Sequence, residues 1–69
     1  LVERDQLLAL LRSCVPELPD GYRQVYLLRD VEEMSNEEVA LAMGLTPNAV
    51  KIRLHRARQA LMTLVQQRY

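Results

Sequence analysis

From Pro47 to Tyr69 the chain has no glycine and no further proline. Such a run predicts one uninterrupted helix of about 20 residues. Thr46, just before it, is a good N-cap, and Pro47 suits the first helical position, where an N–H would have no partner. At about 100° per residue, Val50, Leu54, Ala57, Leu61 and Leu64 share one face. Asn48, Lys51, Ile52, His55, Arg56 and Gln59 fall on the opposite face, with Arg53 and Arg58 flanking the apolar stripe. One side can be buried, and the other is basic and rich in hydrogen-bond donors. A helix of this width and chemistry can enter a DNA major groove. Taken alone, it equally fits a solvated charged face on an ordinary core helix.

The preceding stretch decides between these readings. Glu38-Val39-Ala40-Leu41-Ala42-Met43-Gly44-Leu45 has the pattern of the first helix and turn of a helix-turn-helix. Ala40 is small where two helices would cross closely. Gly44, four residues on, stands where a left-handed turn conformation is needed. Val50 follows six residues later and can pack back. In that context the basic face reads as a DNA-reading surface.

The charge distribution agrees. Formal net charge is zero, which by itself argues against a polyanion partner. Residues 46–69, however, carry Lys51, Arg53, Arg56, Arg58 and Arg68 and no acid, a balance of +5. Residues 1–45 hold four arginines and nine acids, a balance of −5. Such polarity orients a domain on a polyanion with its acidic half turned away. If about four phosphates are neutralised, the log–log salt slope of binding is near −3.5.

Length and composition bound the rest. Sixty-nine residues allow one domain, 1–69, with a modest core. Leu, Val and Ala dominate the apolar residues, and Phe and Trp are absent, which favours packed helices over sheet. The longest apolar run, Leu7 to Leu11, is far too short to span a bilayer, so no membrane insertion is expected. No signal-peptide pattern is present, and the first residue is Leu, as in a piece of a longer protein. The lone Cys14 reads as a core thiol in a reducing cytoplasm. One Cys and one His give no protein-only metal site, and no cofactor is expected. Ser35 and Thr46 are explained as helix caps, and His55 has no carboxylate within residues 46–69, so no catalytic constellation is expected.

Four helices are predicted. The first covers 3–14, with Leu7, Leu8, Leu10, Leu11 and Cys14 as its apolar stripe, and Pro16 ends it. The second covers about 20–32, with Asp20 as its candidate N-cap. Its consecutive Val25-Tyr26-Leu27-Leu28 predicts burial on several sides. Ser35 followed three residues later by Glu38 is a capping box that opens the third helix, 36–43. That helix is expected to bury Val39, Ala40 and Met43. The long fourth helix is the recognition helix, and the fold class is all-α.

The stretch L-P-D-G-Y-R-Q-V-Y-L-L-R-D-V-E-E-M-S-N-E-E-V-A-L-A-M-G-L-T-P-N-A-V-K-I-R-L-H-R-A-R-Q-A-L resembles region 4 of a bacterial sigma factor of the extracytoplasmic-function class. The likeness runs from about Leu18 to Leu64. It rests on the opening L-P, the L-L-R before the acidic turn, the S-x-E-E-x-A core and the V-K-x-R-L-x-R-A-R tail, in order. Residues 1–17 match only as the family's preceding helix. The resemblance implies promoter −35 recognition within RNA polymerase, with the long helix in the major groove. It places Lys51 and Arg56 at base- and phosphate-contacting positions, with Asn48, Ile52 and His55 beside them. Arg29 matches an arginine that reaches the phosphate backbone, and Ser35 and Asn36 lie at a helix N-terminus that can also bind phosphate. Ile52 departs from the small polar residue often found there and allows apolar contact with a thymine methyl. Arg53 and Arg58 read as structural, pairing with acids of the third helix or the connector. Implied protein partners are the β flap of the polymerase core and an anti-sigma factor. The DNA-binding domain of LuxR-type response regulators shares the E-x-A-x-x-x-G pattern, but it breaks its recognition helix and adds a short dimerising one. A third reading is an all-helical module whose basic face binds an acidic protein.

Overall fold

The computed structural model describes residues 3–68. Four α-helices follow in order: α1 Arg4–Cys14, α2 Asp20–Tyr26, α3 Asn36–Met43 and α4 Pro47–Arg68, with no strand among the described residues. The expected all-α fold with a helix-turn-helix and a long last helix is the one observed.

Helix α4 is the spine, because its apolar stripe is long enough to serve two packing clusters. Towards its N-terminus, Val50 and Leu54 pack with Val25 of α2 and with Val39 and Ala40 of α3. Towards its C-terminus, Leu61 and Val65 pack with Cys14 at the end of α1 and with Leu18 of the connector. Ala57 lies between them and is fully buried. Burying a Val or Leu side chain contributes about 1.5–3 kcal/mol. Of the ten buried apolar residues among those described, seven are Val or Leu, in a molecule 38 Å along its longest axis. The stripe was expected to end on Leu64. Val65 is buried instead, and Leu64 packs at the cluster's edge. The two residues border the stripe from opposite sides, and the direction from which α1 and Leu18 approach selects between them.

The second helix departs from a simple α-helix. Asp20 was expected to cap it. The cap position is Pro19, Asp20 is the first helical residue, and its carboxylate accepts from Arg23. Pro19 supplies extended backbone before the first turn, so the aspartate is free to pair one turn on. From Leu27 to Val31 the helix widens into a π turn, closed by Glu32 N–H donating to the Leu27 carbonyl at 2.9 Å. The widening distributes the apolar run. Val25 enters the α3–α4 cluster, Tyr26 the α1–α4 cluster, and Leu27 stays 37% exposed. The chain leaves through Glu33 at φ 59°, a left-handed conformation unusual for a residue with a Cβ.

The turn chemistry around α3 is as expected. Ser35 Oγ accepts from Glu38 N–H at 3.1 Å, and the Glu38 carboxylate accepts from Ser35 N–H at 2.9 Å. Gly44 has φ 67° and ψ 35°, which lets Leu45 N–H reach the Ala40 carbonyl at 2.9 Å. Thr46 Oγ1 then accepts from Ala49 N–H at 3.1 Å and starts α4. Met43 is only partly buried, because it lies at the rim of the cluster. Pro16 falls inside a 3₁₀ turn, Val15–Glu17, that continues α1 by one turn.

Candidate nucleic-acid interface

The two caps and the Gly44 turn set α3 against the N-terminal half of α4, and the π turn carries Arg29 to the same place. Arg29, Asn36, Lys51, Leu54, His55 and Arg58 line one cleft of about 400 Å³. Four of the six are basic side chains drawn from two different helices. Arg29 is held from below: its Nη1 donates to the Met34 carbonyl at 2.6 Å. That bond anchors one end of the guanidinium. Arg29 Nε and Asn36 Oδ1 are both buried and have no hydrogen-bond partner. Unsatisfied buried polar atoms are costly and call for an explanation. Here the donor lies beside the α3 N-terminus, where unpaired backbone N–H groups also favour an anion.

The outer surface of α4 forms a second, shallower concavity of about 470 Å³, lined by Asn48, Lys51, Ile52, His55 and Arg56. All five are exposed. Lys51 and His55 line both concavities and form the seam between them. The face therefore divides into an inner row, backed by Arg29 and Asn36, and an outer row of Asn48, Ile52 and Arg56 at successive i, i+4 positions.

Seven of the eight candidate residues thus line these two neighbouring concavities. Ser35 lines neither, because its hydroxyl is engaged in capping α3. Arg58 lines the basic cleft, although its spacing along the stripe marked it only as structural. It does play a structural part. Its Nε and Nη2 make a two-point pair with Asp30, at 2.9 and 2.6 Å. The partner lies in the π turn of the second helix, not in α3 or the connector, since only there does the widened turn bring a carboxylate across to α4. The Asp30 hydrogen bonds raise the Arg58 pKa further above its already high value. Arg53 pairs with no acid among the described residues, contrary to expectation. Its guanidinium lies over Gly21, so close that a Cβ there would fall 2.8 Å from Nη1. Arg68 pairs with Glu17.

These pairings change the electrostatic count. Two of the five cations of residues 46–69 are neutralised by partners in the acidic half, and a third lies over α2. Lys51 and Arg56, with Arg29 added from the second helix, remain for a polyanion. Among the described residues no group of three or more His, Cys, Asp or Glu side chains could hold a metal ion. Among them, too, no helix is long and apolar enough to cross a membrane.

A separate cleft of about 600 Å³ opens between α1 and the π turn, where Leu8, Leu11, Tyr26, Leu27 and Val31 form an apolar wall. It shares no residue with the basic cleft. Val31 is 59% exposed, the second most exposed large apolar side chain described.

Comparison with known proteins gives a consistent picture. Residues 8–61 match the family described as Sigma-70, region 4. The chain is 45% identical over 49 residues to the RNA polymerase sigma-E factor of Streptomyces antibioticus, covering 71% of this chain and 27% of that protein. It is 35% identical over 51 residues to the ECF RNA polymerase sigma factor SigW of Bacillus subtilis (strain 168), covering 74% and 27%. With the RNA polymerase sigma-H factor of Pseudomonas aeruginosa it shares 33% identity over 58 residues, covering 84% and 30%. The matched segment thus spans under a third of the length of these relatives. No solved structure matches the chain.

Proposed function

Because this chain belongs to the sigma-70 region 4 family, we propose that residues 1–69 form one unit that recognises the −35 element of promoters in the cytoplasm. In that role it helps to place RNA polymerase for transcription initiation. The observation that carries the proposal is the convergence of Arg29, Asn36, Lys51 and His55 in one cleft beside the exposed face of α4. Phosphate oxygens of one DNA strand enter that cleft, meeting the Arg29 guanidinium and the α3 N-terminus. The outer row of α4 then faces base edges in the major groove. Lys51, at the seam, reaches a guanine O6 or N7 from the groove wall. Ser35 contributes through its backbone position and its cap. The role is binding, and no residue is assigned to catalysis.

The unbroken course of α4 from Pro47 to Arg68 favours this reading over a response-regulator domain, whose recognition helix ends early. The protein partners are those the family implies, and the apolar cleft offers them a docking place. The β flap of the polymerase core docks between α1 and the π turn, and an anti-sigma factor competes for the same face. Leu27→Asp, at an exposed wall position, should then weaken capture by purified core polymerase and leave DNA affinity unchanged.

The test of the DNA assignment is selection from a duplex library with about ten randomised positions, followed by titration of selected and scrambled duplexes at two salt concentrations. A recovered consensus and a salt-dependent preference for it support the proposal. Equal, salt-insensitive binding to every duplex, or tighter binding to a polyglutamate peptide than to DNA, refutes it in favour of an acidic-protein module.

A further inference from the structure

Ile52 is the one apolar residue in the outer row of α4. It is 43% exposed, and its neighbours at i−4 and i+4 are Asn48 and Arg56, both exposed and polar. It belongs to neither packing cluster. Neither cluster is built on it. An exposed isoleucine has lower helix propensity than alanine or lysine, because its branched Cβ is restricted in a helix. Its place in the concavity lined by Asn48, Lys51, His55 and Arg56 surrounds one hydrophobic group with donors. On the major-groove edges of the four ordinary bases, the only apolar group is the C5 methyl of thymine. Cytosine presents an amino donor nearby, and an isoleucine set against it would leave that donor dry and unpaired.

We infer that Ile52 is a specificity-determining residue that selects thymine at one position of the recognised site through contact with its 5-methyl group. The inference rests on the DNA-reading assignment above and deepens it. The remaining outer-row residues supply polar contacts on either side. One i to i+4 step advances about 6 Å along the helix, so the base pairs met by Asn48 and Arg56 lie close on either side of the thymine. The selected bases therefore include one thymine recognised by shape and apolar contact, flanked by bases recognised by hydrogen bonds.

Methyl deletion on the DNA tests this without disturbing base pairing. Each thymine of the library-selected consensus duplex is replaced in turn by deoxyuridine, and the 69-residue chain is titrated against each duplex by fluorescence anisotropy. One replacement should weaken wild-type binding about three- to five-fold, the size expected for removing one methyl from an apolar contact. Ile52→Ala should bind the thymine and uracil duplexes equally and retain its preference for the remaining consensus positions. Two results overturn the inference and leave the DNA assignment standing: no thymine sensitive to methyl loss, or a sensitivity that persists in Ile52→Ala. Failure to select any consensus overturns both. Ile52 is exposed and outside both packing clusters, so circular dichroism of Ile52→Ala should match the wild type and exclude a folding defect.

Discussion

Arg29→Gln separates the structural and electrostatic parts of the basic cleft. The side chain does two things: it donates to the Met34 carbonyl and presents a charge beside the α3 N-terminus. Glutamine keeps a donor amide and removes the charge. Five cations occur in residues 46–69, but Arg58 and Arg68 are paired with Asp30 and Glu17. With Arg53 lying over Gly21, the cations left to displace counterions from the DNA are Arg29, at a phosphate, and Lys51 and Arg56, within the groove. Each cation that displaces a counterion from the DNA contributes about −0.9 to the log–log salt slope, so three give about −2.7 and the variant about −1.8. Raising salt from about 50 to about 200 mM should then weaken wild-type binding about 40-fold and the variant about 12-fold. This slope is shallower than the −3.5 or so that a four-phosphate interface gives, because the tertiary ion pairs remove cations that the linear charge count includes. The assay is anisotropy titration of selected and scrambled duplexes at four salt concentrations, at pH 7.5. Affinity for both duplexes should fall by a similar factor, since a backbone contact carries no sequence information. An unchanged slope in Arg29→Gln, or loss of sequence preference alone, would refute the placement of phosphate in this cleft.

The capping box of α3 gives a stability prediction and a pH prediction. Ser35→Ala should destabilise the fold by about 1 kcal/mol, a drop in melting temperature of about 4–8 °C for a domain of this size. An unchanged midpoint would mean that the cap contributes nothing. The Glu38 carboxyl pKa lies below its usual 4.5, first because Ser35 N–H donates to it and second through the Ser35 hydroxyl, with slight burial opposing. A carboxylate with a lowered folded-state pKa stabilises above the unfolded value and loses that contribution as pH falls through the folded one. Stability should therefore fall below about pH 4.5, and Glu38→Gln should flatten that part of the profile in chemical denaturation; an equally steep variant would contradict it. Two backbone positions should respond in opposite directions. Gly44→Ala should cost about 1 kcal/mol from the left-handed backbone alone, since nothing lies within 4 Å of a Cβ built there. Glu33→Gly should raise the unfolding midpoint by relieving φ 59°, and a lowered midpoint would show that the glutamate side chain holds that turn.

What the sequence by itself determined was most of what depends on neighbours along the chain; the exception is Asp20, which pairs with Arg23 three residues on and leaves the cap to Pro19. The caps at Ser35 and Thr46, the left-handed turn at Gly44 and the extent of α4 are all local, because each hydrogen bond closes within a few residues. The basic outer face of α4 was legible for the same reason: helical periodicity fixes which side chains share a side. What only the tertiary structure decided depends on which segments meet. The second helix loosens into a π turn because its apolar run is divided between two clusters. Val65 is buried in place of Leu64 because α1 approaches from that side. Arg58 finds Asp30, 28 residues away, while Arg53 finds no acid and lies over Gly21. No periodicity in the sequence encodes these partners, because a charged side chain of several rotatable bonds takes whichever partner the packed helices bring within its reach.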